Sequence, residues 1–254
     1  MPDSLIAVSA AQPELAQQAA DLAAELGLPL IDACPDARAL LTLSTDQLAL
    51  EATGADAPGP IAVDFAAGSL RHRRRGGHNE PLGRAVGIHK WPGLSVVDAT
   101  AGLGRDSFVL ADLGCQVTLL EREPVIYALL RDGLRRGQSS EDAWVAEVCR
   151  RMSLERADAR DWLAGQSVDV VYLDPMFPAR RKSARVKKDM WLFQQLLEDS
   201  DSPVGLLDVA LAAARRRVVV KRPSRAPALE EREPAFQLPG KTVRFDVYLG
   251  TGDS

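Results

Sequence analysis

Val96-Val97-Asp98-Ala99-Thr100-Ala101-Gly102-Leu103-Gly104-Arg105-Asp106 is the stretch from which the fold reads most directly. The apolar run Leu94–Asp98 ends in an acid, passes through a turn with two glycines, and enters a helical pattern over Arg105–Leu113 that stops at Gly114. A strand, a glycine turn and a helix open a βαβ unit. The alternation continues downstream. Val117–Leu120 ends at Glu121, and a helical pattern over Pro124–Leu134 follows, with Pro124 suited to a first turn. Met152–Ala157 is a weaker strand that runs to Asp158, Val168–Leu173 is a strong one that ends at Asp174, and Asp208–Ala214 is helical. Arg217–Lys221 and Val243–Leu249 complete the series. Strands alternating with helices predict an α/β fold, a doubly wound and mostly parallel sheet over residues 94–254.

Upstream the pattern differs. Leu5–Val8 is a short apolar run, and Pro13–Leu26 has helical spacing closed by Gly27. Leu40–Leu43 and Leu48–Leu50 read as paired strands across Ser44–Gln47, and Ile61–Phe65 as another short strand. These predict a small N-terminal α/β module over residues 1–66. A basic, Gly-rich linker and lead-in helix follow over 67–93. Met1-Pro2-Asp3-Ser4 lacks a basic and apolar leader, and no stretch approaches the ~18 apolar residues of a membrane span. Cys34, Cys115 and Cys149 are scattered and form no CxxC pair. That excludes a zinc knuckle or disulfide framework and predicts a cytoplasmic protein with small buried thiols. His72, His78 and His89 have no metal-ligand spacing, so no metal is expected.

The formal net charge of −4 conceals a strong segregation. Residues 1–64 carry ten acids and one base, whereas residues 71–90 carry six bases (Arg71, Arg73, Arg74, Arg75, Arg84, Lys90) and one acid. Residues 180–188 carry Arg180, Arg181, Lys182, Arg185, Lys187 and Lys188 with no acid. A charge run is usually a solvated face. Six uncompensated cations in nine residues, however, favour a phosphate-rich partner. Arg71–Arg75 and Arg180–Lys188 are therefore candidate RNA contacts, and Lys221 and Arg222 are lesser ones.

Asp98, Glu121, Asp158 and Asp174 each end a predicted strand. Ligands of open α/β sheets bind beyond the carboxyl ends of the strands, so these acids converge on one crevice. Gly102 and Gly104 let the backbone approach a ligand. Ser107 stands where the dinucleotide fingerprint needs a third glycine, which disfavours a nicotinamide oxidoreductase. Glu121, about 20 residues past the turn, is placed to bind both hydroxyls of an adenosine ribose. Asp158 suits either the adenine amino group or the N-cap of a helix beginning at Ala159. Asp98 suits the amino-acid portion of the cofactor, directly or by ordering the turn. Asp174-Pro175-Met176-Phe177-Pro178 carries the sharpest chemistry. An exocyclic base amine is a poor nucleophile because its lone pair is delocalised. A carboxylate and a backbone carbonyl that accept its two N–H bonds localise that pair and aim it at a methyl donor. Pro175 fixes those acceptors, and Phe177 offers a face on which an extruded base stacks.

These stretches, with Leu120-Glu121-Arg122, Lys182-Ser183-Ala184, Val186-Lys187-Lys188 and Val218-Val219-Val220-Lys221-Arg222-Pro223, resemble the RsmJ family of bacterial small-subunit ribosomal RNA guanine-N2 methyltransferases over roughly residues 60–250. Met176 replaces the second proline of the wider amino-methyltransferase pattern, a departure shared with that family. The resemblance implies a Rossmann-like class I methyltransferase fold, S-adenosylmethionine as donor, and a guanine of 16S ribosomal RNA, free or within the small subunit, as acceptor. It also implies cofactor contacts from Arg105, Asp106, Glu121, Arg122, Asp158 and Asp174, with Ala159 contributing through its backbone. Rival readings are an amino-methyltransferase acting on DNA adenine, another RNA position or a protein glutamine, and a non-catalytic RNA-binding factor.

Overall fold

The computed structural model of the chain describes residues 6–33, 36–54, 57, 59–68, 70, 80–175 and 204–250. Phe177 and the basic runs Arg71–Arg75 and Arg180–Lys188 lie outside the described residues. Those described form two compact units: residues 6–63 with 124–133, and residues 64–123 with 134–175 and 204–250.

In the first unit, β1 (Ile6–Ala10), α1 (Ala16–Leu26), β2 (Ala39–Leu43) and β3 (Leu48–Ala52) form a three-stranded sheet with one helix. β1 runs parallel to β2, as a helical crossover requires, and β2 pairs antiparallel with β3. Ala19, Leu22, Ala23 and Leu26 form the buried stripe of α1, and Gly27 ends it in the left-handed region at φ 68°. Ile61–Phe65 does not form the expected strand. Ile61 makes one reciprocal hydrogen-bonded pair with Leu50, and Pro60 before it has no N–H with which to extend a ladder.

In the second unit, α2 (Pro81–Val86) leads into β4 (Ser95–Asp98), followed by α3 (Arg105–Asp112) and β5 (Gln116–Leu120). The helix α4 (Pro124–Gln138) contributes residues to both units. After it come α5 (Ala143–Arg150), β6 (Met152–Glu155), α6 (Ala159–Leu163) and β7 (Val168–Leu173), then α7 (Leu206–Ala213), β8 (Ala214–Pro223), β9 (Phe236–Leu238) and β10 (Val243–Leu249). The sheet order is β6-β5-β4-β7-β8-β10-β9, parallel except for β10, which pairs antiparallel with β8 and β9.

This topology positions the site. From β4 the chain steps outward through β5 to β6, then returns to lay β7 on the other side of β4. The order reverses between β4 and β7, and a crevice opens there beyond their carboxyl ends. Central strands of such a sheet are covered on both faces and so read as unbroken apolar runs. Val170, Val171 and Leu173 of β7 and Val218, Val219 and Val220 of β8 are all fully buried. Phe108 anchors α3, stacking on Phe65 at 5.1 Å and meeting the edge of Trp144 at 5.5 Å.

Candidate active site

At the end of β4 the chain turns through Ala99–Gly104. Gly102 (φ 52°) and Gly104 (φ 70°) both occupy the left-handed region, which a Cβ disfavours. Asp98 orders this turn: its Oδ1 accepts the Thr100 N–H at 3.2 Å, and its Oδ2 accepts the Ser107 hydroxyl from the first turn of α3. Burial, opposed by those two hydrogen bonds, pushes the Asp98 pKa up to about 7. Ser107, which in the sequence registers only as a missing glycine, is thus a structural partner of the turn.

Glu121, at the end of β5, is nearly buried. Its Oε2 accepts the Gly102 N–H at 3.1 Å and its Oε1 the Glu123 N–H at 2.8 Å. Carboxylate oxygens accept hydrogen bonds, which is the chemistry that a ribose hydroxyl requires. A Cβ built on Gly102 meets nothing within 4 Å among the described residues, which leave the space above the turn open. An open glycine turn beside a fixed carboxylate fits the adenosine and methionine portions of S-adenosylmethionine.

Asp158 caps α6, accepting the Arg160 N–H at 2.9 Å. It also pairs with Arg160 at 3.0 Å and Arg122 at 3.1 Å. These contacts, led by the Arg160 side chain, hold its carboxyl well below the usual range. The cap proposed for Asp158 is therefore formed, with Ala159 buried behind it. Arg105 is exposed at the start of α3.

Asp174 follows β7 directly. Its N–H donates to the Thr100 hydroxyl at 2.6 Å, which ties the end of β7 to the turn after β4. Its Oδ2 receives the Lys221 ammonium at 2.7 Å, and the same ammonium lies 2.7 Å from Asp106 Oδ2, which also accepts the Tyr172 hydroxyl at 2.7 Å. The Asp174 side chain is 40% exposed. Enclosure at the sheet end nevertheless raises its pKa, against the pull of Lys221. Pro175 is buried behind it. Lys221 does not face outward as an RNA contact would, and Arg222 is 3% exposed, donating to the Pro227 carbonyl at 2.9 and 2.6 Å. Thr100, Tyr172 and Lys221 join the site only in three dimensions. The sequence signal for Lys221 was a cation that ends an apolar strand on the same edge as the acids.

A second basic group sits toward the amino end of β8, away from these carboxylates. A cleft of about 290 Å³ is lined by Arg84, His89, Lys90, Arg217 and Phe236, among others. Arg216 and Arg217 lie over Trp91 at 4.6 and 5.0 Å. Arg217 also donates to the Ala85 carbonyl at 2.9 Å, and Arg216 pairs with Asp169 at 3.2 Å, so these cations clasp α2 and β7 to β8. Cys115 and Cys149 are free and buried, which pushes both thiols up to about 12. Among the described residues, no three metal-ligating side chains converge and no helix is long and apolar enough to cross a membrane.

The sheet order, the glycine turn and the acids at successive strand ends define a class I S-adenosylmethionine-dependent methyltransferase. A family model of SAM-dependent methyltransferases, SAM_MT, matches residues 21–250. A SAM-dependent methyltransferase from Neisseria gonorrhoeae, known from its crystal structure, superposes with a TM-score of 0.76 at 33% identity, covering 97% of each chain. The ribosomal RNA small subunit methyltransferase J of Thioalkalivibrio sulfidiphilus is 52% identical over 98% of this chain and 99% of its own. That of Pseudomonas aeruginosa is 47% identical over 96% of each. The chain belongs to the ribosomal RNA small subunit methyltransferase J family, and it is an enzyme that uses S-adenosylmethionine.

Proposed function

We infer that the chain transfers a methyl group to the exocyclic N2 amino group of a guanine in 16S ribosomal RNA. The observation that carries this reading is Asp174, fixed by Thr100 and Lys221 at the switch point between β4 and β7 with its side chain still accessible. The relatives' names support small-subunit RNA as acceptor, and the Asp174-Pro175-Met176-Phe177 motif supports an amine as the acceptor group.

S-adenosylmethionine, when bound, supplies an electrophilic methyl on its sulfonium. The protein's part is to hold and aim. The Gly102–Gly104 turn allows close backbone approach, and Glu121 accepts from the ribose hydroxyls. Asp158, besides capping α6, is the candidate for the adenine amino group, with Arg122 alongside. Asp174 and the Pro175 carbonyl accept the two N–H bonds of the guanine amine and free its lone pair, while Phe177 stacks on the base. Arg180–Lys188 and Arg71–Arg75 contact RNA phosphates, and the module over residues 1–66 is an accessory grip on the RNA that the methyltransferase domain at 94–254 modifies. The reading puts the protein in the cytoplasm, with the small subunit.

Transfer of labelled methyl to small subunits that lack this modification, followed by nucleoside digestion, tests the proposal. Label in N2-methylguanosine that vanishes with Asp174→Ala is the expected result. Label in another nucleoside, or none on subunits or their extracted RNA despite cofactor binding, would overturn it.

A further inference from the structure

β8 delivers a cation to a crevice otherwise lined with acids. Val218, Val219 and Val220 are fully buried, and Val220 stands opposite Leu173 in the parallel register. The next residue of β8 and the next after β7 therefore emerge level at the carboxyl edge, and these are Lys221 and Asp174. Lys221 Nζ bridges Asp174 Oδ2 and Asp106 Oδ2, both at 2.7 Å. Tyr172 holds the same Asp106 oxygen at 2.7 Å, so Asp106 is a fixed second anchor for the ammonium. Among the described residues, no hydrogen bond reaches Asp174 Oδ1.

We propose that Lys221 is a positioning residue for methyl transfer: its ammonium holds Oδ2 of Asp174, keeping the carboxylate charged and Oδ1 turned to the acceptor amine. This rests on Asp174 as the acceptor of the amine N–H bonds. The groups that face Asp174 are Lys221 from β8, Asp106 from α3, Asp98 at the end of β4 and Tyr172 from β7. Asp106 and Asp98 are the carboxyls that disfavour a further negative charge, while Tyr172 stays neutral and donates to Asp106; Lys221 is the counter-charge. Without it, burial and the neighbouring carboxylates drive a proton onto Asp174. A protonated Asp174 has an O–H that donates where an acceptor is needed. Activity through a charged Asp174 rises with pH through its pKa, so removing Lys221 moves the acid limb of the kcat profile to higher pH.

The test uses the full-length enzyme with small subunits at saturating S-adenosylmethionine. For Lys221→Met we expect kcat at pH 7 to fall about 100-fold. The acid limb should move up by about one pH unit or more, so that the deficit narrows in alkaline buffer. Lys221→Arg, which can still bridge two carboxylates, should stay within about tenfold of wild type. A Lys221→Met profile reduced in height with its acid limb unmoved would overturn the proposal, since that is what a merely structural role gives. Carboxyl-carbon NMR, with the Asp174 resonance assigned by its loss in Asp174→Asn, reads the ionisation without turnover. There Asp174 should titrate at higher pH in Lys221→Met, or in Lys221→Gln should the methionine variant not fold, and an unmoved titration overturns the proposal. If Asp174→Asn keeps full turnover, the reading of Asp174 as amine acceptor fails instead, and the NMR titration still reports on Lys221.

Discussion

Asp98 and Asp174 end adjacent strands, and their surroundings assign them different work. Asp98 is 2% exposed and committed to Thr100 and Ser107, so it shapes the glycine turn from within. Its pKa is raised from the ordinary 3.8 to about 7. A folded-state pKa above the unfolded one means that folding takes up a proton between them, so the Asp98 contribution to stability is present below pH 3.8 and is lost as pH rises to about 7. Asp98→Asn keeps an acceptor for the Thr100 N–H but cannot ionise. Urea unfolding at a series of pH values should show the variant gaining on wild type between about pH 4 and 7. A constant difference would show that Asp98 does not titrate in this window. Glu121 is held by the Gly102 and Glu123 backbone N–H groups. Removing it should cost ground-state binding: Glu121→Ala should weaken S-adenosylmethionine affinity about 10- to 100-fold by calorimetry, as for loss of hydrogen bonds to a charged group. kcat at saturation should change much less.

Among the elements, α4 shows how close packing constrains a helix. A Cβ at Gly133 would lie 2.3 Å from Val63 Cγ1 and 2.9 Å from the Val63 carbonyl oxygen. The nearby backbone cannot yield as a flexible side chain would. Gly133→Ala should therefore lower stability by about 1–3 kcal/mol despite the better helix propensity of alanine, and thermal unfolding would read it. A rise in Tm would mean that the structure relaxes around the added methyl without cost. The strands β4, β7 and β8 were legible in the sequence because burial on both faces leaves apolar runs ending in a charged residue. α5 and β9 were not. α5 buries Val145, Val148 and Cys149, which are weak helix formers, and β9 is a three-residue strand whose ladder partner is β10. The acids of the site were legible for the same reason as the strands they end. The pairing of Lys221 with two of them was not, because these partners lie 47 and 115 residues away and meet it only once the sheet has formed.

For the whole molecule, segregation of charge matters more than its sum. A net charge of −4 would repel RNA were it uniform, whereas residues 180–188 hold six cations and no acid. If that run meets phosphates, replacing Lys182, Lys187 and Lys188 with glutamine should flatten the dependence of log affinity on log salt by about 0.7–0.9 for each phosphate no longer neutralised. An unchanged slope would remove the run from the interface. The central claim is that a charged Asp174 at the switch point between β4 and β7 accepts the amine to be methylated. Single-turnover methylation of small subunits by Asp174→Asn, at saturating S-adenosylmethionine, tests it most directly. The account predicts cofactor binding within a few-fold of wild type and a methylation rate lower by about 100-fold or more; a rate within a few-fold of wild type would contradict it.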